Sequence, residues 1–306
     1  MTLITLALVT PLVPLLTIYL FVRSRPTGWL QWFLNFVIAG SVILIFHVIG
    51  TWAFVSYYLR YVFVLLFITL AVYRFMQLRH AKAVGLVDTG PHSRTRTVVK
   101  TICAVIVAWL AALAYIGHIA PANTVDLAFP LHNGTYCIIQ GGRNFVTNPF
   151  HNFVDSEFAV DVVKLNRFGN RATGLGPRDA ESYEIFGEPV YSPCDGVVIA
   201  AIDSVFDNEP PRANSMSPLG NHVMIACDEA QIILAHLLNS SVVVSVGDSV
   251  ARGEMIGRVG NSGYSNEPHL HLQALQLDPQ GASPAKPLAV TFGGRFVAIN
   301  DIVNAR

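Results

Sequence analysis

The sequence predicts a chain of two parts: four transmembrane helices within residues 1–121, then a mainly-β domain of antiparallel strands within residues 122–306. Three observations predict it. The first part holds apolar runs of about the 20 residues needed to cross roughly 30 Å of hydrocarbon. After Pro121 such runs cease, and short alternating runs separated by turn residues replace them. The charge divides at the same place. Of 20 basic and 20 acidic residues, nine basic residues and one acid, Asp88, precede Pro121, leaving 11 bases against 19 acids beyond it. An acidic second part excludes nucleic acid as its partner, while a basic, apolar first part suits a lipid bilayer.

The first span runs from Leu3 to Val22. A cleaved signal peptide would carry its charge before the apolar run, whereas Arg23 and Arg25 follow it, so a retained span is expected. The second runs from about Leu30 to Trp52, with Trp29, Trp32 and Trp52 near its ends, where aromatic belts sit. The third covers about Tyr57 to Tyr73, and Arg60 near its start is expected to snorkel to the headgroups. His47, inside the second span, reads as a buried neutral imidazole bonded to a neighbouring helix. The fourth covers about Thr101 to Ile119. The loop from Arg74 to Lys100 and the pair Arg23 and Arg25 are the basic segments; with four spans both fall on one side. If that side is cytoplasmic, everything after Pro121 lies in the periplasm or at the surface of a bacterial cytoplasmic membrane.

In the second part, strands are expected at Thr135–Gln140, Phe158–Lys164, Gly196–Asp203, His222–Cys227, Gln231–Leu238, Ser241–Val246 and His269–Leu275. Two long segments lack strand pattern, residues 166–187 and 204–220, and are read as walls of a substrate cleft. Cys137, Cys194 and Cys227 lie where a disulfide could persist. A bridge from Cys194 to Cys227 requires the strands near them to pair.

The second part is organised around Pro268-His269-Leu270-His271-Leu272-Gln273. Alternation puts both imidazoles on one face of a strand, and imidazole nitrogen binds zinc at about 2.0–2.1 Å. Asp161 interrupts the apolar run Phe158 to Val163, and a buried carboxylate needs a compensating cation or hydrogen bonds. His151 precedes that strand, and His236 ends another apolar run just before Val246-Gly247-Asp248. His222, after Gly220-Asn221, reads as a surface or supporting residue. Tyr264 and Asn266 lie in the loop before Pro268, where they either touch substrate or serve the turn.

The order His151, Asp161, Ala235-His236-Leu237, Val246-Gly247-Asp248, Gly253 to Gly257, Gly260-Asn261-Ser262-Gly263 and Pro268 to His271 resembles the lysostaphin-type zinc metallopeptidases. The resemblance covers roughly Thr135 to Leu275, and the membrane part has no share in it. It implies a β-sheet fold with a duplicated hybrid motif, a zinc ion as cofactor and bacterial peptidoglycan peptide as substrate. It makes His151, Asp161 and His271 the metal ligands, and His236 and His269 the catalytic histidines. One of these would accept a proton from water while the other stabilises the oxyanion, and the order of roles stays open. The family's usual spacing leaves three residues between first histidine and aspartate, which fits His151 to Asp155; the apolar strand around Asp161 favours Asp161 instead.

Two other functions are set against this one. A catalytically weak or inactive wall-binding or hydrolase-activating module would have lost ligands, yet all five residues are present. A biotinyl-lipoyl-type carrier needs an attachment lysine, and none occurs between Lys164 and Lys286.

Overall fold

The computed structural model describes residues 3–25, 28–85, 94–153, 155–228, 230–276 and 285–306. Asp88 and the middle of the basic segment Arg74 to Lys100 lie outside them. Contacts divide the chain into two units: Met1–Trp52 with Tyr57–Tyr115, and Ala53–Ser56 with Ile116–Arg306.

The first unit contains α1 (Leu3–Arg23), α2 (Trp29–Ile49), α3 (Leu59–Ala83) and α4 (Arg94–Ile116). Three of these helices, not four, are long and apolar enough to cross a membrane among the described residues: α2, α3 and α4. Within α1, Ala7–Arg23 is a shorter apolar helical stretch. Ile18 and Phe21 of α1 pack with Ala39 and Ile43 of α2 and Phe67 and Ala71 of α3. Polar bonds tie α4 to α2: Lys100 Nζ donates to Asn35 Oδ1 (2.9 Å), and Gln31 Nε2 donates to Thr97 Oγ1 (2.9 Å). His47 Nδ1 lies 3.3 Å from the Arg60 carbonyl of α3, the neighbouring-helix bond expected. Arg60 departs from expectation. It is 7 % exposed, its guanidinium 5.0 Å from the Tyr57 ring centre and 5.5 Å from that of Tyr61, because aromatic faces shelter the charge within the helix bundle.

The second unit is β-rich, with strands β1 (Thr124–Leu127), β2 (Gly134–Gln140), β3 (Val160–Leu165), β4 (Pro189–Tyr191), β5 (Gly196–Ile202), β6 (Asn221–Cys227), β7 (Ala230–Leu237), β8 (Ser249–Val250), β9 (Met255–Arg258), β10 (Leu270–Gln276), β11 (Pro287–Phe292), β12 (Arg295–Phe296) and β13 (Ile302–Ala305). The main sheet runs β13-β2-β3-β10-β7-β6-β5-β8, and β4 pairs with β9 separately. All these pairs are antiparallel; β1 alone joins β11 in parallel. Strand β10 branches: Leu270–Leu272 pair with β3, while Ala274 and Leu275 pair with β11.

Alternation sorts the side chains. Val160, Val162, Leu270, Leu272, Ile232 and Leu234 enter the main core, so Asp161, His271 and Ala235 face the other way. Ile233, Ala235 and Leu275 form a second small core there with Leu219 and Met224 packed against it. That leaves β7 buried on both faces, which explains why its sequence reads as a nearly continuous apolar run.

Ser241–Val246 forms no strand. It follows β9 with a bond from the Val243 N–H to the Ile256 carbonyl, too little for a ladder. Cys194 and Cys227 are joined in a disulfide, and β5 and β6 do pair beside it.

Candidate active site

Three adjacent strands and one loop gather the site. Register pairs His271 of β10 with Asp161 of β3 on one side and with Ala235 of β7 on the other, placing His236 at the end of β7 nearby. His269 stands just before β10. Asp161, His236, His269 and His271 are each at most 8 % exposed.

Asp161 is the hub. His271 Nδ1 donates to Asp161 Oδ1 at 2.8 Å, and His269 Nε2 lies 3.5 Å from the same oxygen. The His236 ring centre is 4.7 Å from that of His269 and 5.7 Å from that of His271. Burial pushes the Asp161 carboxyl upward, but His269, the His271 hydrogen bond and His236 together hold it below the ordinary carboxylate range. Burial also opposes charge on His271; the bond and charge of Asp161 prevail, with help from Gln273 Oε1 at 3.0 Å from Nε2, and raise it. His236 is held well below the ordinary imidazole range, first by burial and then by the two neighbouring histidines, so it is neutral.

Main-chain carbonyls orient both free histidines. His236 Nδ1 donates to the Ser262 carbonyl (2.9 Å), and His269 Nδ1 donates to the Glu267 carbonyl (2.8 Å). Each ring therefore keeps Nε2 for chemistry, since the proton on one nitrogen leaves the lone pair on the other. His236 adopts φ +61°, a left-handed conformation costly for a side chain with a Cβ. Two bonds secure it: its N–H donates to the Leu219 carbonyl (3.1 Å), and its own carbonyl accepts from the Gly260 N–H (3.0 Å). This needs the loops at Gly220 and Gly263 to touch. Their φ values are +58° and +79°, and a Cβ on either would strike the other loop's backbone.

Asp207 and Asn208 of the segment 204–220 brace the loop at Asn261. Asn208 Nδ2 donates to the carbonyls of Asn261 and Gly263, both at 2.7 Å, and Asp207 accepts from the N–H groups of Asn261 and Asn239. Ser265 Oγ donates to Asn261 Oδ1 (2.7 Å) and lies 3.2 Å from His269 Nδ1. Sequence reasoning placed Asn261-Ser262-Gly263 within the family-like motif but missed Asp207, Asn208 and Ser265; polar residues flanking a histidine pair were the available signal. It also missed Arg171 and Glu267, a buried pair that carried no signal.

His151 is not gathered with the other four. It sits on a 3-10 turn, Pro149–Asn152, capped by the Asn148 side chain accepting from the Phe150 N–H. Phe150 takes the place beside His271, its ring edge-on at 5.5 Å. At about three residues per turn, consecutive side chains diverge, so His151 points elsewhere. It lines a hollow with Phe153, Glu157 and Lys286. Its Nδ1 is buried, 3.4 Å from Glu157 Oε1, without a hydrogen bond. Among the described residues no three His, Cys, Asp or Glu side chains form a ready metal cage. The chemistry of the donors still fits zinc: a buried carboxylate and imidazole in contact, and an unsatisfied imidazole nitrogen one residue from the ring that packs on them. Asp155 is exposed. His222 is half-buried, its Nδ1 2.8 Å from the Gly220 carbonyl, and Tyr264 and Asn266 are exposed.

Residues 182–284 match the model of Peptidase family M23. The chain is 30 % identical over 152 residues, 49 % of its length, to the cell division protein DipM of Caulobacter vibrioides, of which it covers 21 %. It is 28 % identical over 109 residues, 35 % of its length, to an uncharacterized metalloprotease of Buchnera aphidicola, of which it covers 26 %. The chain thus spans about a quarter or less of the length of these curated relatives. Among solved structures, a zinc-containing peptidase from Vibrio cholerae is 22 % identical with a TM-score of 0.31, covering 51 % of this chain and 37 % of that one. The catalytic domain of lysostaphin from Staphylococcus simulans is 19 % identical with a TM-score of 0.27, covering 53 % and 86 %.

Proposed function

We infer that the chain, whose residues 182–284 match the model of Peptidase family M23, is a membrane-anchored zinc endopeptidase that cuts peptide cross-links of bacterial peptidoglycan. The observation that carries the reading is the buried cluster of Asp161, His236, His269 and His271 on one sheet face.

Asp161, His271 and His151 would hold the metal, and Asp155 would not. Zinc, when bound, supplies a Lewis acid for the scissile carbonyl and a bound water of lowered pKa. His236 is the proton acceptor: it is neutral, and its Nδ1–H is committed to Ser262, which leaves Nε2 free to take a proton from water. The proton taken up by His236 then passes to the leaving amine, while His269, its Nε2 3.5 Å from Asp161 Oδ1, faces the same site to contact the scissile group. Burial excludes bulk water from these transfers.

The basic residues support a periplasmic or extracellular site for the β-rich unit. Arg23 and Arg25 precede α2, while Arg79, Lys82, Arg94 and Arg96 lie between the middles of α3 and α4. Placing both groups in the cytoplasm puts the α2–α3 connection and everything after α4 outside, whether or not α1 crosses. The membership of Ala53–Ser56 and Ile116–Arg306 in one contact unit agrees with this.

The test uses the full chain in detergent with isolated peptidoglycan. Release of new amino termini that stops with a chelator and returns with zinc is the expected result. Equal release by metal-free protein, or none with zinc restored, would overturn it.

A further inference from the structure

A buried ion pair stands directly behind His269. Arg171 grips Glu267 with two bonds, Nε to Oε1 at 2.8 Å and Nη2 to Oε2 at 2.6 Å, and the two side chains are 1 % and 6 % exposed. The carbonyl of the same Glu267 accepts the Nδ1–H of His269 at 2.8 Å and lies 2.9 Å from the hydroxyl of Ser265. One residue thus joins the ion pair to the histidine: its side chain is clamped, and its main chain sets the ring.

Arg171 is itself held by a stretch distant in sequence. Its N–H donates to the Ala53 carbonyl (2.9 Å), its guanidinium carbon lies 3.4 Å from the centre of the Phe54 ring, and the Ser56 hydroxyl donates to the Phe168 carbonyl (2.8 Å). All of these residues belong to the second unit, although residues 53–56 lie between α2 and α3 in the chain. Tyr183 flanks the guanidinium on another side at 5.5 Å.

Taking two charges out of water is costly, and well-packed apolar residues of the same volume are often as stable. The pair therefore makes poor sense as packing alone. A fork that meets a carboxylate bidentately does something apolar side chains cannot: it fixes direction. Fixing Glu267 fixes its carbonyl, and the carbonyl decides which nitrogen of His269 carries the proton.

The geometry points to Arg171 as a positioning residue for His269, acting through Glu267, with Phe54 holding the arginine in place. This rests on the functional reading above, in which His269 is catalytic. Residues 53–56 then form part of the catalytic unit, and a fragment beginning after α4 lacks a component of its own active site.

The test again uses the full chain in detergent, measuring kcat, KM, bound zinc and thermal midpoint. Glu267→Gln and Phe54→Ala should lower kcat by roughly 10- to 100-fold, the usual size for a supporting partner, with KM and zinc unchanged; Phe54→Tyr should restore it. The double variant Arg171→Met/Glu267→Met refills the volume, so its thermal midpoint should recover while kcat stays low. Recovery of kcat along with stability would show a merely structural pair and overturn the proposal. A second readout needs no turnover: the His269 Nδ1–H proton resonance, assigned by its loss in His269→Ala, should be protected in the native chain and lost in the double variant. Persistence of that signal in the double variant would overturn the proposal even if peptidoglycan proved the wrong substrate. Unchanged kcat in His269→Ala would instead sink the functional reading.

Discussion

Asp161 Oδ1 and His271 Nδ1 lie 2.8 Å apart, and the register of β3 and β10 pairs the two residues directly. A single bond thereby closes 110 residues of sequence. The carboxylate faces away from the main core because Val160 and Val162 face into it. Its charge is balanced by imidazoles rather than by lysine or arginine, which leaves donors that a metal can use.

Asp161→Asn should remove most bound zinc and activity, because a neutral amide is a much poorer zinc ligand than a carboxylate. Asp155→Asn should retain both, since Asp155 is exposed. Metal analysis of the two purified variants decides between them; loss of zinc from Asp155→Asn alone would favour the shorter spacing from His151.

His236→Ala and His269→Ala should each lower kcat by about 10²- to 10⁴-fold, the usual contribution of a positioned acid or base. Both should keep their zinc. Metal loss in either would make that histidine a ligand.

Replacement of His236 also isolates a backbone cost. Ala and Gly both remove the imidazole, but only Gly accepts φ +61° without strain. The Gly variant should be the more stable by about 1 kcal/mol, a difference of about 2–4 °C in a domain of this size. Equal thermal midpoints would mean the left-handed turn is not strained.

Asp207 gives a pH dependence. Burial raises its carboxyl above the ordinary range, with Asp203 adding to the rise; the N–H bonds from Asn261 and Asn239 oppose it without prevailing. A raised folded value means the group's stabilising contribution is complete below its unfolded pKa of about 3.9. That contribution is lost as the pH climbs through the folded value. The thermal midpoint of the native chain relative to Asp207→Asn should therefore fall from about pH 4 upward. A constant difference across that range would contradict the shift.

Protease added to spheroplasts should digest the β-rich unit, because the basic flanks of α2, α3 and α4 favour the cytoplasm. Protection until lysis would reverse the orientation.

The sequence alone determined the division into an apolar helical part and a β-rich part, and most of the central strands. Both rest on local periodicity, which is written residue by residue: β2, β3, β5, β6, β7 and β10 fall within two residues of the alternating runs. It also marked Asp161, His236, His269 and His271, since polar residues in apolar strands stand out. Short strands such as β8 and β12 escaped notice because two residues carry no period. The tertiary structure alone decided what those four side chains do. Register brought Asp161 to His271; the contact of Gly220 with Gly263 turned His236; and the 3-10 turn presented Phe150 to His271 in place of His151. Arg171, Glu267 and Phe54 were beyond the sequence for the same reason: pairing across 96 residues, and stacking by a ring from between α2 and α3, depend on where distant backbone is carried, which no local pattern records.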